Sequence, residues 1–268
     1  MIDVKLDFQE RKLQIEKYLS FVWIADHRIS ISNLDSISSS KISINDTTEL
    51  NMALYLNNNS YQIDLTLAKI LKSNSILLFY NLIEGTINSV MNEYFAALNA
   101  TGASYKELKP PIKKIWLKYK HRSFGVGAKK KDEYIFNAIE NILEDAVQIQ
   151  PKEIRDSELG TRMIYNFEAY SKETNSKDIS GNLDARKIKG IFDLYGLPEI
   201  TRNCDSMLKV KNKRNSLAHG NETFTEVGSN FSIDDLFKMK IEITNFLEEL
   251  IQNVETFIIN EDFKIASE

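Results

Sequence analysis

The stretch "NSILLFYNLIEGTINSVMNEY", Asn74 to Tyr94, decides the fold class. Ile76, Tyr80, Ile83, Ile87, Val90 and Tyr94 recur at steps of three and four, the spacing of one face of an α-helix. The pattern extends from about residue 62 to about residue 100, with Gly102 placed as its C-terminal stop. The same run carries Asn74, Asn81 and Asn88, seven apart, with Glu84 between the last two. Residues seven apart lie nearly on one face of a helix. This polar stripe reads either as a solvated face or as the wall of a polar groove, with Asn81 and Glu84 pointing into it.

On the N-terminal side, residues 6–31 place Leu13, Ile15, Leu19, Val22, Trp23 and Ile29 at amphipathic spacing. A serine-rich segment, "SNLDSISSSKISINDTT", follows without a helical period and reads as a surface loop. A short helix over residues 48–56, broken by "NNNS", is expected next. On the C-terminal side, "KPPIKKIWLKYKHR" opens a helix on a proline pair. It is basic through Lys113, Lys114, Lys118, Lys120, His121 and Arg122, with Lys129 to Lys131 beyond. Trp116, Tyr119 and Phe124 are interleaved. Such a helix can hold RNA by phosphate contact and stacking, or bury its aromatics and solvate its lysines. Helices are expected at about 132–148, 153–172, 183–195 and 201–219. A last helix starts at "SIDDL", where Ser232 and Asp235 fit a capping box. No strand and no repeat is expected. The class is all-α, a single helical bundle over residues 1–268 with added N-terminal helices. Its parts are an N-terminal helix and serine-rich connector at 1–60, a bundle core at 61–262 and a tail at 263–268.

Composition narrows the function. The 268 residues are 43% apolar and 27% charged, with only 10 glycines and 4 prolines, which favours long helices over a turn-rich β fold. The formal net charge of −4 argues against nucleic-acid binding by bulk charge, so any polyanion site must rest on a local basic cluster. Cys204 is the one cysteine, which excludes an intrachain disulfide and a cysteine-rich zinc site. "MIDVKLDFQERK" does not read as a secretory signal, and "SILLFYNLI" is far too short to span a membrane. A cytoplasmic protein with no membrane partner is expected.

Chemistry concentrates in "KVKNKRNSLAHGNETF", Lys209 to Phe224. Arg214 and His219 share a helix that ends at Gly220, separated by about 140° and roughly 7.5 Å of rise. Arginine is long enough to sweep across that gap, so both heads can bracket one phosphodiester. Asn215, four residues before His219, can hydrogen-bond the imidazole and fix its tautomer. Lys209, Lys211 and Lys213 add positive charge. A histidine titrating near neutrality can take a proton from a ribose 2′-OH or give one to the leaving 5′-oxygen. An arginine fork stabilises the charge that builds on the phosphorus centre. One histidine does not serve easily as base and acid together, so two copies of the helix meeting at a dimer interface would supply both. The plainer reading is a helix end with cations complementing its dipole and a glycine cap. No metal-ligand spacing, P-loop or G-x-S-x-G motif appears, and neither a metal nor a cofactor is expected. Cys204 reads as a small buried thiol.

"RNSLAHG", Arg214 to Gly220, resembles the R-x4–6-H signature of the HEPN superfamily. "LLFYNLIEGTI" (Leu77 to Ile87), "SGNLDARKI" (Ser180 to Ile188) and "FTEVGSNFSIDDL" resemble its RiboL-PSP-HEPN-like branch, nucleases of bacterial toxin–antitoxin and defence loci. The resemblance implies a helical bundle that dimerises with the Arg/His helices facing each other. It also implies metal-independent endoribonuclease activity with Arg214 and His219 as the catalytic pair. Asn215 matches the polar residue after the arginine, and Glu84 falls within the matching "YNLIEG". RNA and a second copy are the expected partners, with an antitoxin or defence-system protein beside them. The alternative is a non-catalytic helical module that holds nucleotide, RNA or protein as an adaptor or immunity partner.

Overall fold

The computed structural model describes residues 1–35, 55–56, 59–60, 63–114, 116 and 183–265. Its elements are α1 (Ile2–Asp35), the short strands β1 (Tyr55–Leu56) and β2 (Asn59–Ser60), α2 (Leu65–Ala100), α3 (Ala185–Leu194), α4 (Asp205–Ala218), α5 (Phe224–Ser229) and α6 (Ile233–Ile259). A 3-10 turn, Tyr105–Glu107, follows α2. The architecture is all-α.

Helix α2 is the axle. It is capped by Asp64, whose carboxylate accepts from the Leu67 N–H at 2.7 Å. It ends at Thr101, with Gly102 in the left-handed region at φ 59°. Phe79, Leu82, Ile83, Ile87, Val90, Tyr94 and Phe95 bury its flanks on more than one side. A helix apolar on several faces must be wrapped, and α1, α4, α5 and α6 all pack on it. Each fully buried Leu, Ile or Phe side chain contributes about 1.5–3 kcal/mol of transfer free energy. One continuous cluster of buried side chains runs from Val4 to Phe263.

Helix α1 lies antiparallel to α2, and the asparagine stripe is the seam between them. Arg11 Nη1 donates to Asn81 Oδ1 at 2.8 Å, and the Tyr18 hydroxyl donates to the Leu71 carbonyl at 2.9 Å and pairs with the Asn74 side chain. Arg11 and Tyr18 are seven apart, as are Asn74 and Asn81, so the two helices match in register. The stripe therefore meets α1. Gly85 makes room for the Arg11 guanidinium, since a Cβ there would stand 2.8 Å from Nη1.

Three expectations are corrected. α1 runs through Ser32–Asp35, which the serine-rich loop was expected to hold. Tyr55–Leu56 pairs antiparallel with Asn59–Ser60 where a helix end was expected. Strand pairing also appears in an isolated bridge, Leu108 to Lys264, that ties the chain after α6 to the turn after α2. The helices expected at 132–148 and 153–172, residues 180–182 of the "SGNLD" loop, and the basic residues Lys118, Lys120, His121, Arg122 and Lys129 to Lys131 lie outside the described residues. Among the described residues no helix is long and apolar enough to cross a membrane.

Candidate active site

Helix α4 is placed by its neighbours. It buries little beyond Ser206, Met207 and Val210, so a narrow apolar edge holds it and polar contacts fix its ends. Cys204 occupies the N-cap without a side-chain cap. Glu242 of α6 does the work instead, accepting from the Asp205 N–H at 2.8 Å and from the Ser206 hydroxyl. A carboxylate at a helix N-terminus satisfies orphan donors and complements the dipole. Burial pushes the Cys204 thiol up to about 12, which leaves it an inert packing group.

The other end closes in a Schellman turn. The Gly220 N–H donates to Leu217 O at 3.3 Å and the Asn221 N–H to Ser216 O at 2.9 Å, with Gly220 at φ 69°. His219 is the C-cap residue and is exposed, so its imidazole stands at the surface where the helix stops. Helix C-terminal carbonyls repel an anion. A phosphate drawn there must be held by side-chain cations.

Arg214 is the cation best prepared for that. Its guanidinium lies over the ring of Tyr80, with Cζ 4.6 Å from the centroid, and Tyr80 is only 4% exposed. Stacking on an aromatic face fixes the plane of the guanidinium and leaves its N–H edge for a ligand. Nη1 also donates to Asn215 Oδ1 at 3.2 Å. Asn215 thus steadies the arginine through its side chain, while its backbone carbonyl accepts from the His219 N–H at 2.9 Å. The structure gives its amide oxygen to Arg214, where the sequence points it at the imidazole.

The flanking lysines are occupied. Lys211 Nζ donates to Asp184 Oδ2 at 2.5 Å, and Asp184 is also the N-cap of α3, accepting from the Lys187 N–H at 2.9 Å. Burial pulls the Asp184 carboxyl upward, but the Lys211 ammonium and the Lys187 N–H outweigh it and leave it below its ordinary range. Lys213 Nζ donates to Glu222 at 2.6 Å, folding the turn after His219 back on α4. That ammonium, with the Ser216 hydroxyl, holds the Glu222 carboxyl low.

Of the residues expected at the site, the structure places Arg214, Asn215 and His219 on the final turns of one helix. Lys211 sits a turn earlier, paired to Asp184. Asn81 sits on α2 at the α1 seam. Glu84 is half-buried, one helical turn beyond Tyr80 on α2. Tyr80 is the contributor that periodicity concealed, because it falls on the core repeat with Ile76 and Ile83. The only sequence signal for it was its place inside "LLFYNLIEG".

Compared with known families, residues 7–263 match the model of the HEPN_MAE_28990-like HEPN family. The motifs alone had named the RiboL-PSP-HEPN-like branch, whereas the matching model is this one. No curated protein and no solved structure matches the chain.

Proposed function

The chain belongs to the HEPN superfamily through the family matched over residues 7–263, and from that premise we propose that it is a metal-independent endoribonuclease. Membership by itself points to a nuclease-type or RNA-related function. The observation that carries the finer reading is Arg214 stacked on buried Tyr80, with His219 exposed at the helix end five residues later. The substrate is RNA because its 2′-OH is the internal nucleophile. The 2′-oxygen attacks the adjacent phosphorus, the P–O5′ bond breaks, and the product ends are a 2′,3′-cyclic phosphate and a 5′-hydroxyl. His219 moves a proton at the 2′-oxygen or the leaving 5′-oxygen. Arg214 holds the non-bridging oxygens as charge accumulates on them.

The reaction needs both a base and an acid, and one chain offers one such histidine. A second copy completes the site. Support comes from an unusual strip on α4: Leu208, Asn212, Asn215 and His219 recur at steps of four, three and four, and Leu208 is 42% exposed. Residues so spaced lie on one side of a helix and suit self-pairing. An enzyme of this kind fits a toxin or abortive-infection effector that a partner protein restrains.

The test is RNA cleavage by purified protein in excess EDTA. His219→Ala is expected to lower the rate at least about 100-fold, the scale of a lost general acid–base group, with the helical circular dichroism unchanged. Equal cleavage by wild type and His219→Ala contradicts the proposal. Sedimentation showing only monomer under conditions of full activity contradicts the shared site.

A further inference from the structure

The distribution of ion pairs over the surface is uneven. On the α1 and α6 side, cations are matched: Lys5 with Glu255 at 2.6 Å, Lys12 with Glu248 at 2.8 Å and Lys240 with Glu16 at 2.5 Å. Arg11, Lys72 and Arg202 likewise meet Asp7, Asp26 and Glu249. Beside the Arg/His helix, Lys211 and Lys213 are matched as well. A different set makes no ion pair among the described residues: Lys106, Lys109, Lys113 and Lys114 after α2, and Lys189 on α3, with Arg186 on α3 near enough to Asp184 only to help lower its carboxyl. Lys109 and Lys113 instead stand over aromatic rings, 5.9 Å from the Phe257 centroid and 5.4 Å from that of Tyr105. Lys189 donates to the neutral amide oxygen of Asn203 at 3.2 Å.

These residues adjoin. α3 and α4 run antiparallel, because Asp184 at the start of α3 meets Lys211 while Lys189 meets Asn203, just before α4. The turn after α3 then abuts the 110–114 segment, since a Cβ on Gly196 would stand 3.0 Å from the Pro111 ring. Arg186 and Lys189 are three apart, on the side of α3 away from buried Ile188, Ile191 and Phe192. Among neighbouring carboxylates, Asp184 is paired to Lys211 and Glu107 is engaged by the Ser104 backbone and hydroxyl, which leaves Asp193, Glu199 and Asp262 against six cations. Other unmatched lysines exist, such as Lys17 and Lys238, but they sit apart on α1 and α6.

We infer that α3 and the 106–114 segment form a basic track for the RNA backbone, leading away from Arg214 and His219. The inference rests on the endoribonuclease reading for its ligand and deepens it by assigning the substrate's extent. From His219 to Lys211 along α4 is about 12 Å, and α3 adds about 15 Å. The track therefore engages several nucleotides beyond the scissile phosphate, and the substrate is a long RNA instead of a dinucleotide. A chain of net charge −4 can hold a polyanion where its cations are grouped in this way.

The test measures binding in the His219→Ala background, so that cleavage does not interfere. Fluorescence anisotropy follows a labelled single-stranded RNA of about 24 nucleotides and one of about 6 across a salt series. Arg186→Glu with Lys114→Glu is compared with Lys17→Glu plus Lys238→Glu, an equal change in net charge at distant exposed positions. The track variant is expected to bind the long RNA at least about tenfold more weakly, with the slope of log K against log salt reduced by about 1.4, or two phosphates. The short RNA and the control pair are expected to change little. Equal weakening by both pairs, or no change in either, overturns the track. RNA held through the track yet never cut by the protein with His219 intact contradicts the nuclease reading and leaves the track standing.

Discussion

At the scale of single residues, the catalytic role proposed for Arg214 depends on a side chain that need not touch RNA. The Arg214 guanidinium stands over the Tyr80 ring, with Cζ 4.6 Å from the centroid, and such a contact is worth about 0.5–2 kcal/mol. Most of that value appears in orientation, because a free arginine samples many rotamers and a stacked one samples few. Tyr80→Leu is expected to lower kcat about tenfold while KM moves less, and Tyr80→Phe, which keeps the ring, to retain nearly full rate. Loss of activity in both variants, or an effect confined to KM, would show that the ring does not position the arginine. This residue also marks the limit of sequence reading. Arg214, Asn215 and His219 were legible because they fall in one short motif. Tyr80 was not, since its partner lies far along the chain and its spacing is that of a core position. Asn81 shows a related limit: a polar residue every seventh position signals a face, but not what lies beside it, and here Arg11 of α1 donates to it.

At the scale of elements, the site is a helix end whose following turn is clasped. Glu222 reaches back to Lys213, and Thr223 and Glu226 then form a reciprocal capping box that starts α5. The T-x-x-E pattern stands in "TFTE", Thr223 to Glu226, so α5 was legible in principle. The helix is only six residues long, too short for hydrophobic periodicity to reveal. Its Gly228 approaches the Lys69 backbone so closely that a Cβ would stand 1.9 Å from the carbonyl oxygen, which seats α5 on α2. The clasp has a pH signature. The Glu222 carboxyl lies below its ordinary value of 4.5. A lowered carboxyl stabilises the fold above its unfolded pKa and loses that contribution as pH falls through its folded value. Glu222→Gln is therefore expected to be less thermally stable than wild type at neutral pH, with the gap closing as pH drops below about 4. A gap that stays constant from neutral to acid pH would show that the ionised clasp does not contribute.

At the scale of the whole molecule, the division of labour follows from charge and packing. α2 is buried on several sides and carries the fold, whereas α4 is mostly polar and carries the proposed chemistry. The α-helical class was legible because periodicity over a 36-residue helix is hard to mistake. The arrangement around α2 was not, because it depends on pairings such as Lys5 with Glu255 and Lys12 with Glu248 that join the two ends of the chain. The central claim is chemical: the RNA's own 2′-oxygen is the nucleophile and His219 moves its proton. The most direct measurement gives purified protein, in excess EDTA, an RNA with one preferred cut and the same RNA carrying a single 2′-deoxy residue 5′ to that cut. The account predicts a 2′,3′-cyclic phosphate end by mass spectrometry from the first and no cut at that bond in the second. A 3′-hydroxyl end, or undiminished cleavage of the 2′-deoxy RNA, would contradict it.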